Sequence, residues 1–206
     1  MVKPKIKGRI HYDEKYIRVK KKDCYDLNAI DSETKFVLAH LFVEKWTKQK
    51  CYEFLKQIKD SCYEQILEIY KKEKNKKVKD RELPEFTCDK FANYKIAFMK
   101  LFNRVCNLNF GIPIAYQKHG VKHNNNPIER YNGKTKDRIK SIRSGFKSFE
   151  GAKAFMDLRR TIYNFVNSHQ QLNGKTPAEM AGIKLKLGRM KLLELIKYIV
   201  KNSGDD

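Results

Sequence analysis

The sequence predicts an α/β fold of the mixed α+β type, in which a five-stranded mixed sheet is flanked by helices. Residues 8–43 contain three strand-like segments. Arg9–Val19 alternates apolar and polar side chains with a period of two, and Phe36–Val43 is an apolar run typical of a buried strand. From Thr47 onward, apolar residues recur at spacings of three and four, which is typical of amphipathic helices. The chain has 206 residues, of which 41% are hydrophobic, enough to build the core of one domain. This excludes disorder of the whole chain.

The N-terminal strands form the first unit of the predicted sheet. They are expected at Arg9–Val19, with a bend near residues 13–15, at Cys24–Ile30 and at Phe36–Val43. The polar segment 31–34 between the last two is a short hairpin connection. Three sequential strands with short links predict an antiparallel meander.

Helices and strands then alternate along the chain. A long amphipathic helix begins at Thr47 and carries apolar residues as far as Tyr70, and the charged segment 71–82 continues it or forms a loop. The later predicted elements are a strand at Leu83–Cys88, a helix at Ala92–Val105, a weak strand at Ile112–Tyr116, a polar loop at His119–Asn126, a basic helix from Pro127, a helix capped by Ser148, a capping-box helix at Thr176–Glu179 and a last amphipathic helix at Met190–Val200. A meander followed by alternating helices and strands gives a sheet covered on both faces. The RNase H-like fold has this order.

The composition is strongly basic. Lys and Arg number 45 against 24 Asp and Glu, which gives a formal net charge of +21. This charge favours a polyanionic partner, either nucleic acid or an anionic membrane surface. A solvated surface rich in lysine is the alternative interpretation.

Targeting signals and cysteine usage favour a reducing cytoplasm. No apolar run approaches the ~18 residues that a membrane span needs, and the N-terminal segment has no apolar core of the signal-peptide type. The five cysteines are odd in number and widely spaced, so a disulfide framework is not expected.

Three acidic residues fall where such a fold would bring them together. Asp13 lies in the first strand, Asp89 directly follows the fourth, and Glu129 is in the first turn of the basic helix. Carboxylates at strand ends meet in a crevice of the sheet. A two-metal site needs anionic oxygens that bridge ions ~3.5–4 Å apart, and Mg²⁺ prefers such oxygen ligands. The acids therefore indicate a metal-dependent nuclease site.

Each acid also has an ordinary structural explanation. Asp13 and the following Glu14 are compatible with an exposed acidic pair, and Asp89 with the N-cap of the next helix. Glu129 fits a capping box that begins at Asn126. Taken one at a time, these explanations are the stronger ones.

A cationic stripe follows the third acid. Lys136, Lys140, Arg143 and Lys147 come 7, 11, 14 and 18 residues after Glu129, on roughly one helix face. Such a stripe is suited to follow the phosphates of a DNA strand towards a metal site. A solvated helix face is the alternative.

The residues around the acids resemble those of bacterial and archaeal insertion-sequence DDE transposases, in the integrase-core superfamily. The resemblance covers residues 9–183 in order and is strongest at 123–132, His-Asn-Asn-Asn-Pro-Ile-Glu-Arg-Tyr-Asn, followed by Gly145-Phe146-Lys147-Ser148. Further matches are Asp13-Glu14-Lys15-Tyr16-Ile17, Thr87-Cys88-Asp89 with Tyr94, Lys136-Asp137-Arg138, the run from Tyr163 to His169, and Thr176 to Gly182.

The resemblance implies an RNase H-like fold and hydrolysis at transposon ends that depends on two Mg²⁺ or Mn²⁺ ions, followed by strand transfer into target DNA. It implies Asp13, Asp89 and Glu129 as catalytic residues and metal ligands. The residues predicted to bind DNA are Lys136, Arg138, Lys140, Arg143, Lys147, His123 and Asn125. The partners implied are DNA, as transposon ends and target, and further copies of the chain in a dimer or larger oligomer. A membrane partner is not expected, and the location implied is the prokaryotic cytoplasm, in association with the nucleoid.

The domain organisation expected is an N-terminal tail at 1–8, the catalytic domain at 9–183, and an amphipathic helix with a tail at 184–206. Two features depart from the family pattern. Only about a dozen residues precede Asp13, where the family has a helix-turn-helix region, so a truncated element is one expectation. In addition, 39 residues separate Asp89 from Glu129, a few more than the family spacing.

Three other interpretations compete with an active transposase domain. A truncated or domesticated, non-catalytic DNA-binding remnant keeps the fold and the basic surface. A basic RNA-binding or ribosome-associated protein explains the charge and leaves the acids unexplained. His119 and His123 have the spacing of zinc ligands, but without a CxxC or a second close pair a polar loop is favoured.

Overall fold

A single mixed sheet runs through the protein. The structure, a computed structural model, describes residues 3–89, 92–110, 126–142 and 145–202. In these residues the strands are β1 (Ile10–Val19), β2 (Lys22–Asp31), β3 (Val37–Val43), β4 (Glu85–Cys88) and β5 (Asn107–Phe110). Their order across the sheet is β3-β2-β1-β4-β5. The strands β1, β2 and β3 are antiparallel, whereas β4 is parallel to β1 and β5 to β4. The predicted meander and mixed sheet are confirmed.

Helices occupy both faces of this sheet. They are α1 (Lys48–Glu73), α2 (Ala92–Phe102), α3 (Asn126–Lys140), α4 (Phe149–Phe165), α5 (Pro177–Met180) and α6 (Lys191–Asn202). The predicted N-cap of α4 is confirmed, since the Ser148 hydroxyl accepts a hydrogen bond from the Gly151 backbone at 3.0 Å. The capping box between Thr176 and Glu179 also forms. No helix in the described residues is long and apolar enough to cross a membrane.

The alternation along β1 assigns its side chains to two cores. Ile10 and Tyr12 belong to the large core beneath α1 and α2, where Tyr12 makes edge contacts with other aromatic rings. Ile17 and Val19 pack in the smaller core beneath α4. Burial of each such side chain contributes roughly 1.5–3 kcal/mol. Because successive strand residues face opposite sides, Asp13 lies on the same face as Ile17, towards α3 and α4.

The turn after β2 is organised by the buried carboxylate of Asp31. Its Oδ1 accepts hydrogen bonds from the Glu33 and Thr34 backbone at 3.0 and 2.7 Å, and its Oδ2 accepts from Lys7 and Gly8 at 3.0 and 2.9 Å. These donors stabilise a buried charge that is otherwise costly. The segment predicted as an N-terminal tail is thereby attached to the sheet.

Among the described residues the fifth strand is one for which the sequence analysis predicted no strand. The segment predicted as a weak strand, Ile112–Tyr116, is outside the described residues, and β5 occupies Asn107–Phe110. Asparagine is depleted in strands, so the sequence Asn-Leu-Asn-Phe gives little local indication of a strand. Pairing with β4 over four residues forms the strand despite that weak propensity.

The basic helix is shorter than predicted. It ends at Lys140, and Gly145 adopts a left-handed φ of +66°, which interrupts a helix. Phe146 then packs into the small core and forms a β-bridge with Val19. Burial of this aromatic ring turns the chain away from the helix axis. Lys147 is therefore not on the face of α3, contrary to the prediction.

Candidate active site

The register of β1 and β4 places two of the acids beside each other. Ile10 pairs with Phe86 and His11 with Thr87 in the parallel ladder. Continuing this register by two residues brings Asp13 level with Asp89, at the carboxyl end of β4. Both positions have the parity of the sheet face that α3 covers. Two residues 76 positions apart in sequence thus lie side by side, at the end of the sheet where β4 terminates.

Helix α3 brings the third acid to this end of the sheet. Ile128 and Tyr131 are buried against Ile30, Val37 and Tyr163, which places the first turn of α3 over the sheet. Glu129 is in that turn and is partly exposed.

Two contacts connect α3 to β1 beside Asp13. The Asn132 Nδ2 donates to Asp13 Oδ2 at 3.3 Å, and the Lys15 ammonium donates to the Asn132 carbonyl at 2.5 Å. Glu129 and Asn132 lie three residues apart on α3, so they share a helix face. The contacts therefore set the position of that face relative to Asp13.

The electrostatics show that the acids lie within range of one another. Burial, together with the negative charges of Glu14, Asp89 and Glu129, raises the pKa of Asp13 to about 8. Burial and the charge of Asp89 also raise the pKa of Glu129. Like charges disfavour ionisation of their neighbours. The structure thus brings together Asp13, Asp89 and Glu129; their role as catalytic residues and metal ligands stays a prediction.

A fourth carboxylate adjoins this cluster. Burial raises the pKa of Glu14 to about 7, although hydrogen bonds from its own backbone and from Tyr94 counteract the rise, and Asp89 adds repulsion. The Tyr94 hydroxyl donates to Glu14 Oε2 at 3.2 Å. Strand alternation puts Glu14 on the opposite face of β1 from Asp13. The side chain therefore approaches the cluster around the edge of β1.

The donor set fits hard divalent cations. Carboxylate and amide oxygens are the ligands of Mg²⁺, and the Asn132 Oδ1 is a buried oxygen with no hydrogen-bond partner. Within the described ranges, however, no three His, Cys, Asp or Glu side chains are already arranged as the ligands of one ion.

A groove of about 580 Å³ runs from the acids along α3. Its lining combines the acids Asp13 and Glu129 with basic residues that include Lys136 and Lys140, whereas Asp89 is not among the lining residues. Arg138 is exposed but is not among the lining residues, and neither is Lys147, which comes after the end of α3. The predicted contacts His123, Asn125 and Arg143 lie outside the described residues.

Lys15 and Asn132 had no assigned role in the sequence prediction. Each could have been found from its spacing to an acid, but only after Asp13 and Glu129 had been identified as site residues. Lys15 is two residues after Asp13 on a strand, and Asn132 is three residues after Glu129 on a helix, so each shares a face with an acid. The hydrogen bond between them depends on the docking of α3, which no local pattern specifies.

A buried polar network lies on the same face of the sheet. The His40 imidazole has Nε2 at 2.6 Å from Asp26 Oδ1 and Nδ1 at 3.1 Å from Asp157 Oδ1. Asn28 Nδ2 donates to Asp26 Oδ2 at 2.8 Å. Asp13 pairs with Asn28, which pairs with His40, so the three form one row across three strands. The network thus extends from beneath the acids to α4.

The comparisons with known proteins give the following results. Residues 7–169 match the family described as "DDE domain". No curated protein matches the chain.

Similar solved structures include an intasome of simian T-cell lymphotropic virus in complex with a PP2A regulatory subunit, at 13% identity and a TM-score of 0.49, covering 91% of this chain and 60% of that one. Another is the HTLV-2 integrase catalytic core domain in complex with magnesium, in its trimeric form, at 12% identity and a TM-score of 0.47, covering 86% and 97%. The catalytic domain of the Mos1 mariner transposase is similar at 15% identity and a TM-score of 0.47, covering 74% and 69%.

The family match extends from before β1 to the end of α4 and includes all three acids. It confirms the family predicted from the residues around them, and the mixed sheet with helices on both faces agrees with the predicted fold. The chain belongs to the DDE domain family, and it has the RNase H-like fold of a DDE transposase catalytic domain.

Proposed function

We propose that this chain cleaves DNA at transposon ends by metal-dependent hydrolysis and then joins the ends to target DNA. The observation that supports this most directly is that Asp13, Asp89 and Glu129 lie close enough to disfavour one another's ionisation, beside a groove that Asp13 and Glu129 line together with Lys136 and Lys140. A cluster of like-charged carboxylates destabilises the fold unless bound cations neutralise the repulsion, and such clusters are concentrated at functional sites.

The proposed metal ligands are Asp13, Asp89 and Glu129, with two Mg²⁺ or Mn²⁺ ions. DDE transposases depend on divalent metal ions. When bound, such ions activate the attacking oxygen and stabilise the charge on the leaving oxygen. The hydrogen bond from Asn132 orients Asp13, and Lys15 fixes α3 at the distance that this bond needs.

The proposed chemistry consists of two displacements at phosphorus. In the first, water attacks a phosphodiester at the transposon end, the P–O3′ bond breaks, and the 3′ oxygen leaves as a hydroxyl. In the second, this 3′-hydroxyl attacks a target phosphodiester, forms a new P–O bond and displaces the target 3′ oxygen. Each step breaks one P–O bond and forms another, so no oxidant or reductant is needed.

The DNA strand is proposed to lie in the groove along α3. Lys136 and Lys140 line that groove and are placed to contact phosphates. Additional contacts are proposed for Arg138, Arg143, Lys147, His123 and Asn125. Since two transposon ends must be held together, the working form is proposed to be a dimer or larger oligomer. It would act on nucleoid DNA in a prokaryotic cytoplasm.

The direct experiment is a nicking assay on supercoiled plasmid DNA with the purified chain. We expect relaxed circles to accumulate with Mg²⁺ or Mn²⁺ and not with EDTA, because the carboxylates repel the phosphates until cations bind. DNA binding without nicking in either metal would favour the alternative, a non-catalytic DNA-binding remnant. Nicking that persists in EDTA would contradict the metal-dependent mechanism.

The affinity for DNA is expected to depend steeply on salt. Each neutralised phosphate contributes about −0.9 to the slope of log K against log salt concentration. We expect Lys136→Gln with Lys140→Gln to reduce the magnitude of that slope by roughly 2, about 1 for each phosphate that is no longer neutralised. Fluorescence anisotropy over a salt series measures the slope.

The matched control is Lys71→Gln with Lys72→Gln, two exposed lysines in the last turn of α1, away from the groove. An equal change in this variant would show that the charge acts without regard to position. A flat salt response of the unmodified chain would instead favour a merely solvated basic surface.

A further inference from the structure

One aromatic ring near the acids is unusually exposed. Among the described residues, the two most exposed aromatic side chains are Tyr16, at 63%, and Tyr198, at 46%. Tyr198 is on α6, whereas Tyr16 is in β1, three residues after Asp13. Burial of an aromatic ring contributes strongly to stability, so a large ring left in solvent beside a candidate active site invites a functional explanation.

Tyr16 is the outermost ring of an aromatic row that consists of Tyr16, Tyr25, Trp46 and Tyr94. Successive ring centroids are 5.1, 5.9 and 5.4 Å apart. The inner end of the row is anchored, since Tyr94 is fully buried and donates a hydrogen bond to Glu14. The row supports the Tyr16 ring from behind, so the entropy cost of stacking a ligand on it is small.

The cationic groove reaches Tyr16 at the open edge of β1. By strand alternation the Tyr16 ring lies on the face of Glu14, opposite Asp13 and α3, so a base reaches it around that edge, as the Glu14 side chain reaches the acids. Residues that line the groove include Tyr16 and Arg18 of β1 together with Asp13, Glu129, Lys136 and Lys140. In the described part of the chain, β1 pairs with β4 only at Ile10 and His11, so the edge of β1 beside Tyr16 is not covered by β4. A groove of about 580 Å³ is within the range of roughly 300–1,000 Å³ typical of small-molecule sites.

The chemistry of the lining distinguishes two parts of a nucleotide. Lysine and arginine side chains attract the phosphate, and an exposed aromatic face stacks with a base. In a paired duplex each base is already stacked between its neighbours. A free aromatic face therefore selects a base that has left the duplex.

We propose that Tyr16 is a stacking platform for an unpaired base of the DNA strand whose phosphate lies at the acids. The proposal rests on the proposed DNA-cleaving function and adds a preference for locally unpaired DNA at the cleavage position. The Tyr16 ring contacts the base, and Lys136 and Lys140 contact the phosphates that follow it.

The test is a binding measurement that needs no cleavage. Fluorescence anisotropy compares a labelled duplex that is fully paired with one that carries a short unpaired segment, in Ca²⁺, which binds oxygen ligands. The variants are Tyr16→Ala, Tyr16→Trp, and Tyr198→Ala as the matched exposed aromatic control. Circular dichroism checks the fold, and Tyr16→Leu, which has no aromatic face, replaces Tyr16→Ala if that variant is unfolded.

We expect the unmodified chain to bind the partly unpaired duplex more tightly. Tyr16→Ala should weaken that affinity by roughly 5- to 160-fold, the range for removal of one base–aromatic stack, and should change affinity for the paired duplex by less than about 2-fold. Tyr16→Trp should restore the preference, and Tyr198→Ala should leave it unchanged.

Equal weakening for both duplexes, no weakening, or an equal effect of Tyr198→Ala would overturn the proposal. A change of oligomeric state in Tyr16→Ala that leaves the preference intact would also overturn it, because Tyr16 would then contact protein. A chain that nicks DNA but shows no Tyr16-dependent preference contradicts the platform alone. A chain that keeps the preference but never nicks contradicts the catalytic proposal alone.

Discussion

Replacement of Asp89 by Asn is expected to reduce metal-dependent nicking by at least about 1,000-fold. The change keeps the shape of the side chain and removes one of the three proposed ligand charges. Metal ions supply several kcal/mol of transition-state stabilisation, and each 1.36 kcal/mol is worth a factor of ten in rate. The fold should persist, because Asp89 is exposed at the end of β4. Nicking rates and a urea denaturation curve measure the two effects separately.

A matched control and a second readout sharpen this test. Asp60→Asn removes an exposed carboxylate from α1, away from the groove, and should leave nicking unchanged. Asp89 is also one of the charges that raise the pKa of Asp13 to about 8, so in Asp89→Asn that pKa should fall, which NMR titration can follow. Nicking at the normal rate by Asp89→Asn would refute the assignment of the acids.

Replacement of His40 by Leu is expected to destabilise the domain by about 3–5 kcal/mol, the range for removing one partner of a buried ion pair. Only 2% of the side chain of His40 is exposed, and the same holds for Asp26, so the substitution leaves a buried carboxylate without its main partner. Urea denaturation measures the decrease in stability. Asp157→Asn is the control, because its side chain is 48% exposed and its pair with His40 is worth much less.

The stability that His40 contributes is expected to depend on pH. Burial lowers the pKa of His40, but hydrogen bonds to Asp157 and Asp26 outweigh burial and raise it above its usual value near 6.5. A raised folded-state pKa means that this contribution is fully present below about pH 6.5 and is lost as the pH rises through the folded value. The stability difference between the unmodified chain and His40→Leu should therefore shrink at higher pH. A difference that grows with pH would show that His40 is buried in its neutral form.

The parts of the fold that were predictable are those with a local signal. The alternation of β1, the Ser148 cap and the Thr176 capping box are each specified by a few adjacent residues, and all three form. Strand β5 was not predictable, because its asparagines oppose a strand locally and pairing with β4 decides the outcome. The end of α3 was predictable only in part. Gly145 is a local signal against a helix, whereas the burial of Phe146 is a tertiary effect that the sequence does not show.

The same distinction applies to the candidate site. The order of the three acids and their motif context indicated convergence, and the structure brings them within electrostatic range. The partners of His40 were hidden, because the run Phe-Val-Leu-Ala-His-Leu-Phe-Val has the appearance of a plain buried strand. Its contacts depend on the register between β2 and β3 and on the docking of α4, neither of which is encoded in a short window.

The three acids come from β1, the end of β4 and the first turn of α3, and this has a consequence for how the protein is made. Long-range contacts form only after the intervening chain has closed, which makes them late events in folding. A nascent chain that has emerged from the ribosome as far as α2 already carries Asp13 and Asp89 but not Glu129. On the proposed mechanism such an intermediate cannot cut DNA, and neither can a proteolytic fragment that lacks α3. On that mechanism the protein would acquire its activity only after α3 has been synthesised and has docked on the sheet.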